Sequence, residues 1–198
     1  MTEERKYDFS YTALSLGVME MAYVANAQRS NEDIDREEFG MGKSTTGKRK
    51  LADINKRLKN ITLAQRNLLI DGDLILKRQI AFLAVCKTHL FIRDFIVEVV
   101  REKYLLFDYQ ITDGDYLSFF RQKAELHEHV NNLTDKTKAK IRQVLFKILE
   151  QAGLIDDVNN RNIQPQFLDH ELTKAIVDDD SALLKVFLLS DAEIQNLT

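Results

Sequence analysis

Residues 40–45, Gly-Met-Gly-Lys-Ser-Thr, carry the Gly-Lys-Ser core of a phosphate-cradling loop. Such a loop needs a glycine five positions before the Gly-Lys pair. Glu37 stands there, and its charge would oppose the phosphates. Asp33, Asp35, Arg36, Glu37 and Glu38 also crowd the approach, where a buried strand belongs. Nucleotide hydrolysis is therefore not expected.

The other reactive side chains assemble no site either. His127 and His129 are two apart on a helical pattern and point to different faces, unlike the i, i+4 pair of a zinc helix. They are expected to be solvated, whereas His89 sits in an apolar run as a core histidine, and His170 lies among acids with no second ligand. The tripeptides at 71–73 and 113–115, both Asp-Gly-Asp, lack the remaining ligands of a calcium loop. Each reads as a turn with an N-cap aspartate, and their downstream Arg-Gln pairs differ in offset, so they mark no duplication. Cys86 has no partner for an internal disulfide, which suits a reducing compartment and a buried structural thiol. The expectation is a binding protein rather than an enzyme, with no cofactor, metal or small-molecule substrate.

Charge distribution carries the positive signal. The formal net charge is only −3, yet between Lys43 and Arg66 eight bases face one acid, Asp53. From Pro165 to Thr198 seven acids face Lys174 and Lys185. Like charges on successive helical turns repel by a few tenths of a kcal/mol per pair. Something outside the chain, or its acidic C-terminal segment, should neutralise it.

The elements that position these charges are helical. Seven glycines and one proline in 198 residues leave few positions for the turns of an all-β fold, so an all-α, multi-helix bundle is expected. Helices are predicted over Thr12 to Gln28 and from Thr45 or Thr46 to about Asn60, with a further turn at Ile34 to Phe39. Two consecutive helices follow over Leu74 to Tyr104, then Asp115 to Val130 and Thr134 to Ala152, the last stopped by Gly153. Leu51, Ile54, Leu58 and Ile61 phase one buried stripe. Opposite it stand Arg49 and Lys56, with Lys48 and Lys59 on one flank and Lys50 and Arg57 on the other. The two helices around Asn131 to Leu133 suggest a helix-turn-helix, and 154–163 a small two-stranded wing, within 115–164. Closing helices span Phe167 to Val177 and Ser181 to Leu189. Two regions are expected: 1–72 with the basic helix, and 73–198 with the core, the helix-turn-helix-like unit and the acidic helices.

The longest charge-free run, Phe9 to Met19, is 11 residues, short of the roughly 20 apolar residues that cross a bilayer. The N-terminal MTEERKYDF mixes acids with bases and leads into no signal-like core. A cytoplasmic protein without membrane contact is expected.

The order of motifs resembles one family. Ser15-Leu16-Gly17 lies in the early apolar helix, and 44–49 (STTGKR) leads to 55–58 (NKRL). Then come 94–103 (DFIVEVVREK), the most specific stretch, and 137–142 (TKAKIR) running to 151–155 (QAGLI). Over about residues 10 to 155 the chain resembles BrxA, a small component of bacteriophage exclusion (BREX) defence systems. The resemblance implies an all-helical fold partly similar to the antitermination factor NusB, and a non-enzymatic DNA-binding role beside other BREX components. It assigns no individual base-reading residue.

Bases and resemblance together make duplex DNA the expected partner, held mainly through its phosphate backbone. The residues expected to contact it are Lys43, Lys48, Arg49, Lys50, Lys56, Arg57, Lys59 and Arg66. Lys136, Lys138, Lys140, Arg142 and Lys147 form a second patch, for which a merely solvated face is an equal reading. The alternatives are a protein adaptor within the defence complex that needs no nucleic acid, and a NusB-like RNA-binding factor.

Overall fold

The computed structural model describes residues 6–34 and 44–197. Lys43 and most of the phosphate-loop-like segment lie outside them, as does most of the turn expected at Ile34 to Phe39.

A 3-10 turn, Ser10–Ala13, leads into α1 (Val18–Ser30), followed by the basic helix α2 (Ser44–Lys59). Next come α3 (Leu63–Asp71), α4 (Leu74–Thr88), α5 (Leu90–Phe95), a π-helical turn (Ile96–Val100) and α6 (Arg101–Leu105). The second half holds α7 (Asp113–Leu126), α8 (Glu128–Asn131), α9 (Asp135–Ala152), α10 (His170–Asp180), a 3-10 segment (Ser181–Phe187) and α11 (Asp191–Leu197). The fold is an all-α bundle, without a strand among the described residues.

The caps show why these helices start and stop where they do. Thr62 and Gln65 form a reciprocal capping box on α3, and Thr112 and Asp115 another on α7. Asp73, Thr134 and Asp169 each accept from a backbone N–H in the first turn of α4, α9 and α10. Gly153, at φ 75°, ends α9 as expected, since the left-handed conformation is open to a residue without Cβ. At the other end of the chain α1 starts later than the periodicity suggests. Ser15 (φ 62°) and Gly17 (φ 64°) are both left-handed, and the backbone turns there before Val18.

Asn162 bridges to Gln110 ahead of α7, and within the wing itself one antiparallel bridge remains, Ile155 with Ile163. It closes a loop knotted by its own side chains: Asp157 accepts from the backbone of Asn159 and Asn160, and Asp156 from that of Asn162. Short polar side chains that satisfy the backbone locally remove the need for a second ladder.

One apolar core runs through the bundle and crosses Gly72 without interruption, joining Met21, Leu58 and Leu69 to Ile80, Phe91, Phe95, Ile148 and Phe187. Cys86 is fully buried and unbonded, and burial pushes its thiol well above the ordinary range. His89 breaks the backbone between α4 and α5 and is buried, as the apolar run implied. His127 and His129 are half-buried rather than freely solvated. His129 Nε2 accepts the Tyr7 backbone N–H at 3.1 Å, and the His127 ring packs against Tyr7 at 4.7 Å, because the N-terminal strap crosses there.

Candidate nucleic-acid interface

The basic helix α2 does not divide as a single apolar stripe implies. Lys48, Arg49, Lys56 and Lys59 are exposed and Lys50 is half-buried, but Arg57 is fully buried. The error is one of width: α2 buries Asp53 and Arg57 beside Ile54 and Leu58, because segment 8–16 lies along this flank. Arg57 therefore belongs to the interior rather than to a DNA-contacting face.

Its surroundings explain how a guanidinium is tolerated there. Nη2 lies 2.6 Å from Asp53 Oδ2, and Arg57 donates to the carbonyls of Leu16 and Ser15, each at 2.7 Å. Asp53 Oδ1 in turn accepts from the Ser10 hydroxyl at 3.0 Å and lies 3.0 Å from His89 Nε2. Burial by itself would raise the Asp53 carboxyl. The His89 hydrogen bond and the Arg57 charge outweigh it and hold the group below the usual carboxylate range. The single acid of the basic segment is thus consumed inside the protein, and the exposed cations of α2 receive nothing from it.

Lys56 pairs with Asp8 at 2.8 Å across the surface. Arg66 is half-buried and turned inward, donating to the Leu58 carbonyl at 2.7 Å and to Gln28 at 3.5 Å. Lys48, Arg49, Lys50 and Lys59 have no ion pair among the described residues. The acidic end does not supply one. Asp179 holds Lys87 at 2.6 Å, Asp178 holds Lys174 at 2.7 Å, and Asp191 holds Arg101 and Lys185 at 3.0 and 2.9 Å. Those acids face α4, α6, the 3-10 segment and, for Asp178, its own helix.

On α9, Lys136, Lys140 and Lys147 are exposed along one face, where the i, i+4 spacing carries them from turn to turn. Lys140 donates to Gln143 at 3.1 Å, and Lys147 pairs with Glu150. Lys138 is half-buried, its ammonium 6.0 Å from the Phe120 ring. Arg142 lies over Tyr116 at 5.6 Å and pairs with Asp113. Beside them a groove of about 560 Å³ has a floor that includes Val144, Phe146 and Val158, and a rim of Lys140, Arg142, Lys147 and Arg161.

Arg161 is absent from the sequence-derived set. It comes from the knotted loop, with its guanidinium 4.3 Å over Phe146, and shares Asp113 with Arg142. A lone arginine among asparagines gives no periodic signal, so only the return of the loop against α9 discloses it. Ser15 also lines this groove. The same turn that Arg57 clamps from α2 therefore forms part of the wall next to α9, and Gln151 of α9 accepts the Leu16 N–H at 3.1 Å. Segment 8–16 ties the two basic helices together.

Among the described residues no group of three or more His, Cys, Asp or Glu side chains converges as a metal site would. No helix among them is long and apolar enough to cross a membrane.

The family model for BrxA matches residues 5–180. Among curated relatives, "BREX protein BrxA" of Escherichia coli O9:H4 (strain HS) is 28% identical over 132 residues, 67% of this chain and 62% of that protein. "BREX protein BrxA" of Bacillus cereus (strain H3081.97) is 30% identical over 106 residues, 53% of each chain. The matched segments thus span less than two thirds of those relatives. A crystal structure of an uncharacterized protein from Magnetospirillum magneticum superposes with a TM-score of 0.78 at 17% identity, covering 93% of this chain and 98% of the other. That likeness concerns the fold alone.

Proposed function

The chain belongs to the BrxA family, and from that premise we propose that it is a non-enzymatic component of a BREX phage-defence system that binds duplex DNA through the phosphate backbone. The observation that carries the reading is the uncompensated charge of α2. Lys48, Arg49 and Lys59 project from a helix whose one acid is buried on Arg57, and the acidic C-terminal helices pair elsewhere. Cations so placed gain most from a polyanion, which they bind by releasing its counterions. The face of α9 at Lys136, Lys140 and Lys147 extends the same chemistry across the turn at Ser15. Phosphate contacts position a protein without reading bases, so little sequence preference is expected.

Protein partners within the same defence system are a second reading, favoured by a different surface. Leu106 and Phe107 are 76% and 80% exposed at the tip that follows α6, and clustered exposed apolar side chains mark contact sites.

A mobility-shift titration on duplex DNA, single-stranded DNA and RNA at two salt concentrations tests the first reading. Retention of duplex that weakens steeply with salt is expected. Failure of excess duplex to be retained at low salt, while other components of the system are captured, would leave the protein-contact reading in its place.

A further inference from the structure

Two guanidiniums meet on one carboxylate oxygen at the edge of the α9 groove. Asp113 Oδ1 accepts from both Arg142 Nη2 and Arg161 Nη1. The two arginines reach this point from different elements, 19 positions apart in the chain. Each also has a contact that does not involve Asp113. Arg142 is stacked over Tyr116, while Arg161 is stacked over Phe146 and donates Nε–H to the Val158 carbonyl at 2.8 Å. The aspartate itself is the exposed member, 62% open to solvent against 31% and 16% for the arginines.

An anionic oxygen between two arginine forks is the arrangement that phosphate takes with this residue type, since the planar guanidinium matches carboxylate and phosphate oxygens alike. Lys140 and Lys147 line the same groove and favour a ligand with more charge than one carboxylate. Phe146, Val144 and Val158 offer apolar contact to whatever bears the phosphate. We propose that Arg142 and Arg161 form a phosphate-binding fork, and that Asp113 occupies it as an internal competitor until a phosphate displaces it. The ligand class is a nucleotide phosphate, either a phosphodiester of the duplex or a free phosphate compound. The inference rests on the nucleic-acid reading of α9 for the first of these sources.

An exposed carboxylate is cheap to displace, because surface ion pairs are weak. Asp113 would then set affinity and selectivity: weak anions do not dislodge it, and a multiply charged phosphate does. When the carboxylate leaves it turns to water, and the stacked arginines keep their aim.

The test compares wild type, Asp113→Asn, the double variant Arg142→Gln/Arg161→Gln and, as a control with the same change in net charge, Asp178→Asn. Asp178 pairs with Lys174 on α10, outside the groove. Each is titrated with labelled duplex DNA and separately with inorganic pyrophosphate, after its thermal midpoint has shown it folded. Asp113→Asn is expected to bind the phosphate ligand about three- to tenfold more tightly than wild type, in line with the removal of a weak competing pair. Asp178→Asn should change little, and the double variant, which lacks the fork, should bind the phosphate ligand more weakly than wild type. Tighter binding of pyrophosphate alone, with no duplex bound by any variant, would keep the fork, assign it to free phosphate compounds and remove the nucleic-acid reading. If duplex binds wild type and Asp113→Asn equally and pyrophosphate shows no difference, or if Asp178→Asn matches Asp113→Asn, the fork is overturned while duplex binding stands.

Discussion

Asp53 and Arg57 stand one turn apart on α2, with Oδ2 and Nη2 2.6 Å from each other and both side chains shut off from solvent. They are one acid and one base of the segment that gives the protein its polarity, and neither reaches the surface. Their role is to fix the turn at Ser15 and Leu16, whose carbonyls complete the guanidinium's hydrogen bonds.

Replacing Arg57 by Met should therefore destabilise the fold by about 3–5 kcal/mol, since it strands a buried carboxylate and frees a left-handed turn. Lys at this position should recover little, because one ammonium cannot span Asp53 and two carbonyls as a fork does. Urea midpoints of the two variants measure both; a destabilisation below about 1 kcal/mol for Arg57→Met would contradict the burial.

The acid limb of stability should carry the mark of Asp53. Its folded pKa lies below the ordinary value, so the stabilisation it brings is present in full above the unfolded pKa of about 4 and disappears as pH falls through the depressed folded value. Asp53→Asn should thus be much less stable than wild type at pH 7, and the gap should narrow below about pH 4. Paired denaturation curves from pH 7 down to pH 3 would show a constant gap if the carboxylate were not held this way.

Charge reversal on the exposed side of α2 should act on binding and spare the fold. Lys48→Glu/Arg49→Glu/Lys59→Glu removes cations that have no ion pair among the described residues, so thermal midpoints should shift by no more than a few degrees. The slope of log affinity for duplex DNA against log salt should flatten by about 0.9 for each phosphate that the variant no longer neutralises. An unchanged slope would move the DNA-binding surface away from α2.

Phe107 occupies the left-handed region at φ 63° with its ring in solvent, a conformation costly for a bulky residue. Phe107→Gly should raise stability by about 1 kcal/mol, as the strain is relieved and the core is left untouched. If the tip docks on another protein of the defence system, the same variant should fail in co-purification with it. Higher stability with co-purification unchanged would assign the ring no recognition role.

Much of the architecture is legible in the residue order because it is local. Thr134 and Gly153 bracket α9, Asp73 opens α4, and the periodic apolar positions of α9 are buried as the phase requires. These outcomes depend on interactions within a turn or two of helix, and the side chains concerned are adjacent in the chain. The basic character of α2 is equally a property of the sequence.

Which cations remain available is decided elsewhere. Helical phase set Arg57 on a cationic flank, and it lies inside because the 3-10 turn and segment 8–16, more than 40 residues away, pack over that flank. Arg142 reads as a free base until Asp113 and Arg161 arrive from either side of α9. The acidic end could have neutralised α2, yet its carboxylates meet Lys87, Arg101 and Lys185. Sequence alone determined the capped, strongly periodic helices and the sign of each surface, because those follow from neighbours along the chain, but not α3, α11 or the late start of α1. Tertiary structure decided which charges are spent on one another, because an ion pair needs its partners within about 4 Å and takes no account of how far apart they stand in the sequence.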